Sequence, residues 1–225
     1  ETAFISKRLA ITDESDADFD VCFFTPTQEV DFCGHASIAA FTCLFKQGVI
    51  SSGHYHQDTK VGVLSVWVSD KGLVTIEQAQ ARFYQQFDWH QIQPLIDINK
   101  VSQQDTNLPI EIVSTGLKDC LIPLAKGSID EIEFDLDKIS SFCKTNDLIS
   151  FHLFELDLNN EKNIVRAQCR NLAPLVGIDE ESATGSSAGA LACYLNRYLE
   201  TNPIDFQFEQ GRKMGYLSQI FAHLR

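Results

Sequence analysis

Residues 185–199 read GSSAGALACYLNRYL, and residues 34–47 read GHASIAAFTCLFKQ. Both have helical length, and both are small or apolar on almost every side, whereas a surface helix carries a single apolar stripe. Each is therefore expected to be buried. They are too short and too rich in small residues to cross a bilayer, so the wall around each must be protein, most simply a curved sheet. Placing Gly34 on Gly185, a shift of 151 positions, pairs Ala39 with Ala190. Such self-similarity is the pattern of two halves built alike.

The starts of these helices are where chemistry can sit. A helix start leaves its first amide N–H groups without intrahelical acceptors and carries partial positive charge. Gly34, Ala36 and Ser37 in one segment, and Gly185, Ser186 and Ser187 in the other, let a ligand come close to the backbone. Two such starts facing one cleft would hold a small anion from both sides. Thr184, Ser186 and Ser187 can equally be ordinary caps, with the glycines easing packing of helix on sheet. Spacing alone leaves both readings open.

Around these segments the composition is that of a globular protein: 225 residues, 44% hydrophobic and 22% charged. The formal charge of −13 and pI near 4.8 oppose binding to nucleic acid or to anionic membranes. No apolar run reaches bilayer length, and residues 1–10 lack the charged start and apolar core of a secretion signal. The cytoplasm is the default expectation. Seven scattered cysteines, an odd number with no Cys-x-x-Cys, read as reduced thiols that mostly fill core. A start at Glu1 and a stop within an apparent strand suggest a fragment.

Alternating or β-branched stretches at 3–11, 19–24, 61–68, 73–76, 110–113, 120–124, 149–156 and 164–169 read as strands. Residues 69–72 close a hairpin, residues 89–98 read as a helix, and residues 100–107 form the linker between domains 1–100 and 101–225. Residues 129–143 carry helical spacing, with Asp130, Glu131, Glu133, Asp135 and Asp137 on its solvated side. The fold class is α+β. His54 and His56 read as a surface turn, and no phosphate loop, dinucleotide fingerprint or zinc spacing occurs.

The stretches FTPTQEVDFCGHASIAA (24–40) and NLAPLVGIDEESATGSSAGALACYL (171–195) resemble the two signature segments of the PhzF-like phenazine-biosynthesis family, which has the diaminopimelate-epimerase-like fold. Weaker echoes are ETAF (1–4), VSTGLKDCLIPL (113–124) and QGRKMGYLS (210–218). The resemblance implies two similar domains, each a curved, barrel-like mixed sheet around a central buried helix, with the active site in the cleft between them. It also implies that an N-terminal strand with its GNP segment and a final strand are missing here. The implied activity is that of a cofactor-independent isomerase. It would move a proton by acid–base chemistry on a small carboxylate metabolite resembling dihydro-hydroxyanthranilate. Members of the family are often homodimers.

By the same resemblance Glu1 matches the catalytic glutamate, His35 the histidine that binds substrate or assists proton transfer, and Glu181 the catalytic aspartate. A carboxylate shielded from water and an imidazole suit that work. Gly34, Ala36, Thr184, Gly185, Ser186 and Ser187 would bind substrate. Three departures stand out: Glu181 is one methylene longer than aspartate, Ser182 replaces a proline, and Tyr216 stands where the family has arginine. They motivate an alternative, a non-catalytic relative that binds a small anion. An amino-acid epimerase or racemase would need a thiol opposite Cys33, and Thr184 occupies that place.

Overall fold

The computed structural model describes residues 2–8, 17–25, 28–96, 104–105, 107–157 and 164–225. They divide into two units, one up to Gln80 and one from Ala81. In the first unit β1 (Thr2–Lys7), β2 (Phe19–Phe24), β4 (Gly53–Thr59), β5 (Gly62–Val68) and β6 (Val74–Ile76) form a mixed sheet in the order β1-β2-β4-β5-β6. A short β3 (Glu29–Val30) pairs with β2, and the helix α1 (Gly34–Lys46) follows it. Alternation puts Phe19, Val21 and Phe23 of β2 and Leu64, Val66 and Val68 of β5 into one core. Phe41 of α1 is fully buried there, its ring 5.4 Å from Phe19. Because α1 packs against both β1 and β6, the two ends of the sheet order, the sheet curls around it.

That enclosure is incomplete, contrary to expectation. Gly34, Ala36, Ser37 and Phe41 are buried, but Ile38, Ala39 and Cys43 are exposed. They lie at helical spacing on a second face, which no strand among the described residues covers.

In the second unit β7 (Arg82–Phe87), α2 (Trp89–Ile96), β8 (Ile110–Ser114), β9 (Lys118–Leu124), α3 (Leu136–Asn146), β10 (Ser150–Asp157), β11 (Val165–Ala173), β12 (Ile178–Glu181), α4 (Gly185–Tyr198), β13 (Asp205–Gln210) and β14 (Ser218–His223) follow in turn. The sheet runs β14-β13-β11-β10-β9-β8-β7, with β12 paired to β11. Its central strands, β8 to β11, are buried on both faces, while the edge strands β7 and β14 are partly exposed. Phe151 and Leu153 of β10 pack with α2 and α3, while Phe154 packs on the other side with α4. α4 touches β8 and β9 on one side and β13 and β14 on the other, so the sheet is a half-barrel around it. No residue from 185 to 196 is exposed, as expected of a helix apolar on every side.

The two units share one plan: an antiparallel pair, a short strand on the second member, a helix, a parallel neighbour and an antiparallel strand beside that neighbour. β1, β2, β3, α1, β4 and β5 correspond in this way to β10, β11, β12, α4, β13 and β14. The shift of 151 positions that carries Gly34 to Gly185 carries β4 onto residues 204–210, within one residue of β13.

Several expectations change. The boundary falls at Gln80–Ala81, not after residue 100, because β7 pairs with β8 and α2 buries Ile92 and Ile96 in the second core. Most of the expected linker lies outside the described residues. The helix expected over 129–143 is two elements, a 3-10 turn at Ile129–Glu131 and then α3. Glu155, itself buried, accepts from the amides of Gly127, Ser128 and Ile129 and holds that turn, and Asp135 caps α3 through the Lys138 amide. His54 and His56 sit on strand β4 rather than in a turn, with His54 stacked on its cross-strand partner Trp67 at 4.9 Å.

Candidate active site

The approach to α4 is clamped. Arg170 of β11, 6% exposed, makes two 2.7 Å bonds to the Glu180 carboxylate and also donates to the carbonyls of Ile129 and Ile132. This fixes β12, and alternation along β12 turns Glu181 the other way. Glu181 Oε2 accepts a 2.5 Å bond from Thr184 Oγ1. Gln210, 1% exposed, closes the loop: its Nε2 donates to the Glu181 carbonyl at 2.8 Å and to Thr184 Oγ1 at 2.9 Å, and its Oε1 accepts from the Thr184 amide. Gly211 follows with φ +83, and a Cβ there would stand 2.9 Å from Ser182. The chain can pass so close to the Glu181–Thr184 segment only as glycine.

Thr184 is the N-cap, extended at φ −128, ψ 95, and its side chain makes no capping bond because it is turned to Glu181. The first intrahelical donor is the Ala188 amide, to the Thr184 carbonyl. The amides of Gly185, Ser186 and Ser187 therefore have no intrahelical acceptor. Cys33 repeats this at α1: extended at φ −146, ψ 103, no side-chain cap, and Ser37 as first intrahelical donor. His35 is half-buried with its Nε2 3.6 Å from Cys33 Sγ.

Beneath α4 lies a buried polar cluster. Ser150 Oγ donates to Asp119 Oδ1 at 2.6 Å. Asn171 Nδ2 lies 3.0 Å from Ser150 Oγ, 3.0 Å from Ser187 Oγ and 3.1 Å from His152 Nδ1, so two amide hydrogens serve three acceptors. Asp119, Ser150, His152, Asn171 and Ser187 are all at most 2% exposed. Asp119 Oδ2, His152 Nε2 and Asn171 Oδ1 have no hydrogen-bond partner among the described residues. Burial pushes the Asp119 carboxyl up to about 7, with the charge of Glu181 adding to the rise and the Ser150 and Ser187 hydroxyls opposing it. Burial pushes His152 down to about 3 and keeps it neutral. Thr115 ties the VSTGL segment to the helix through a 3.1 Å bond to the Ser186 carbonyl.

The phenazine biosynthesis-like protein family, PhzC-PhzF, matches residues 1–225. The chain belongs to this family. Among its relatives, the uncharacterized isomerase YfhB of Bacillus subtilis is 28% identical over 96% of this chain and 73% of its own length. The fold is also that of a Bacillus anthracis phenazine biosynthesis protein of the PhzF family, with TM-score 0.78, 23% identity, and coverage of 98% of this chain and 74% of that one. A hydroxyproline epimerase from Agrobacterium vitis shares it at TM-score 0.60 and 10% identity, over 93% of this chain and 63% of that one.

Of the residues singled out from sequence, Glu181, Thr184, Gly185, Ser186 and Ser187 gather at the α4 start. Gly34, His35 and Ala36 gather at the α1 start. Glu1 lies outside the described residues. Tyr216 is 73% exposed, in the turn before β14. Sequence reasoning missed Arg170, Gln210 and the Asp119 cluster. Arg170 and Asn171 were visible as polar residues next to an apolar run; Asp119 and Ser150 become meaningful only through the register that pairs them.

Proposed function

We propose that the protein is an isomerase that moves a proton between carbon atoms of a small carboxylate-bearing metabolite. The observation that carries this reading is the α4 start. Its N-cap side chain is turned away, its first amides lack intrahelical acceptors, and a carboxylate, Glu181, is held beside them by Thr184 and Gln210. The amides of Gly185, Ser186 and Ser187 bind the substrate carboxylate, using the positive end of the helix. Glu1 takes the proton, breaking one C–H bond and leaving an enolate-like anion. The proton returns at a second carbon, with His35 and Glu181 in support, so that no electrons are gained or lost. Gly34 and Ala36, with Thr184, complete the proposed substrate contacts.

Support comes from the names of the relatives, which are isomerases, and from two structural neighbours with small bound ligands that carry carboxylate or carbonate oxygens. The hydroxyproline epimerase holds trans-4-hydroxy-L-proline, and a probable proline racemase from Agrobacterium radiobacter holds carbonate. A ring compound of the dihydro-hydroxyanthranilate type is the substrate class proposed. A two-thiol racemase mechanism is disfavoured, since Thr184 holds a hydroxyl that is already donating to Glu181. The test is deuterium uptake from D2O into ring carboxylates. Glu1→Gln and Glu181→Gln are expected to lower it by 100-fold or more, roughly the contribution of one acid–base group. Uptake at the wild-type rate in Glu1→Gln ends the mechanism.

A further inference from the structure

The buried cluster under α4 contains a carboxyl group, Asp119, for which no ion pair is found among the described residues. The titratable groups facing Asp119 are Glu181 from β12, the Cys120 thiol on its own strand and the Cys143 thiol from α3. His152 of β10, joined to the cluster through Asn171, is neutral, and α4 contributes only the Ser187 hydroxyl. Burial pushes both thiols up, so neither supplies charge at neutral pH. Lys118, the nearest lysine in sequence, is bonded to Asp147. Among the described residues, the positive feature within reach is the N-terminal end of α4, which the cluster meets through the Asn171–Ser187 bond. That is also the feature the proposed substrate carboxylate would use.

We propose that Asp119 is a positioning residue for the α4 site: protonated, it ties Ser150, Asn171 and Ser187 into one unit beneath the first turn and leaves the helix end to the bound anion, and ionised, it competes with that anion. This rests on the reading of the α4 start given above. Two observations support it besides the helix end. Asp119 Oδ2 is buried and has no partner among the described residues, which suits a carboxylic acid better than a carboxylate. The second acid, Glu181, is paired in register with Asn171, the hub of the cluster, so a charge there also favours the proton on Asp119. Binding of an anion at the α4 start is thereby coupled to proton uptake at Asp119, and it weakens as pH rises through neutrality.

The test is an NMR titration of the protein with 13C-labelled aspartate carboxyls, with and without sulfate as the anionic probe at constant ionic strength. Asp119→Asn assigns the resonance. Should that variant fail to fold, Ser150→Ala assigns it instead, by moving one midpoint upward as the carboxylate loses a donor. The Asp119 midpoint is expected near 7, lower in Glu181→Gln and higher in sulfate. A midpoint in the ordinary carboxylate range, or one that sulfate leaves unmoved, overturns the proposal. No turnover enters the measurement, so a failed isomerase assay and a failed titration remain separate results.

Discussion

α1 and α4 begin alike and end differently. Each starts with glycine after an extended, non-capping residue, and each follows a short strand, β3 on β2 and β12 on β11. Yet α4 has no exposed residue from Gly185 to Asn196 within its half-barrel, while α1 leaves Ile38, Ala39 and Cys43 exposed. Their polar surroundings differ as well. Under α4 the buried polar groups are joined through Asn171, whereas in the first unit Ser37 Oγ and both amide atoms of the fully buried Gln57 have no hydrogen-bond partner. The helix start is set by local sequence, and the rest by what surrounds it. Among the described residues, a joined polar support under the helix start is found in the second unit, and it is there that we place the proton-coupled chemistry.

The largest effect expected from this contrast is on stability. Leu191→Ala in α4 removes a fully buried side chain and is expected to cost about 2–5 kcal/mol. Ile38→Ala on the exposed face of α1 is expected to cost less than about 1 kcal/mol. Urea unfolding of both variants checks this, and equal losses would break the comparison.

Next comes the pH dependence of the cluster. Asp119 is raised from 3.8 to about 7, so the stability that it contributes is full below the unfolded value and is lost as pH rises through 7. His152 is lowered from 6.5 to about 3, so its stability is present above 6.5 and is lost as pH falls toward 3. The two slopes oppose each other between about pH 4 and 6.5, and the difference between variants isolates one of them. Asp119→Asn is expected to gain stability relative to wild type as pH rises from 4 to 8. The change is on the order of 4 kcal/mol at 1.36 kcal/mol per pKa unit. Melting curves across that range measure it, and a pH-independent difference would show that Asp119 ionises as an ordinary surface acid does.

Smaller still is the glycine pair near the end of the chain. Gly211→Ala meets both a positive φ and the Ser182 backbone, whereas Gly215→Ala meets a positive φ in open space. The second is expected to cost about 1 kcal/mol, the first more, with a loss of deuterium-exchange activity because the Glu181–Thr184 segment moves. Least of all in stability, Thr184→Val removes a hydroxyl bonded to Glu181 and Gln210, at about 1 kcal/mol. Its effect on turnover is expected to exceed that of Cys33→Ala, the corresponding change at α1.

Much of the fold was legible because it rests on local pattern. Residues 185–196 are small or apolar on almost every side, and none of them is exposed; alternation located β2, β5 and β10. The same argument overreached at residues 34–47, since a sequence apolar all round permits burial but does not supply the strands that complete it. β4 was missed because HYHQD carries few apolar residues, and β13 because Phe206 and Phe208 are the only apolar side chains in its alternation. The helix starts of the candidate site could be read from small residues. Gln210 and Asp119 could not, since each acts across a register or a turn that joins positions distant in sequence.

The central claim is that the α4 start holds an anion with its own amides, and crystals of the protein soaked with a panel of small ring carboxylates test it most directly. The account predicts carboxylate density within hydrogen-bond distance of the Ser186 and Ser187 amides, with Thr184 still bonded to Glu181. Finding Thr184 or another protein side chain rotated onto those amides, with no ligand bound at any concentration, would contradict it.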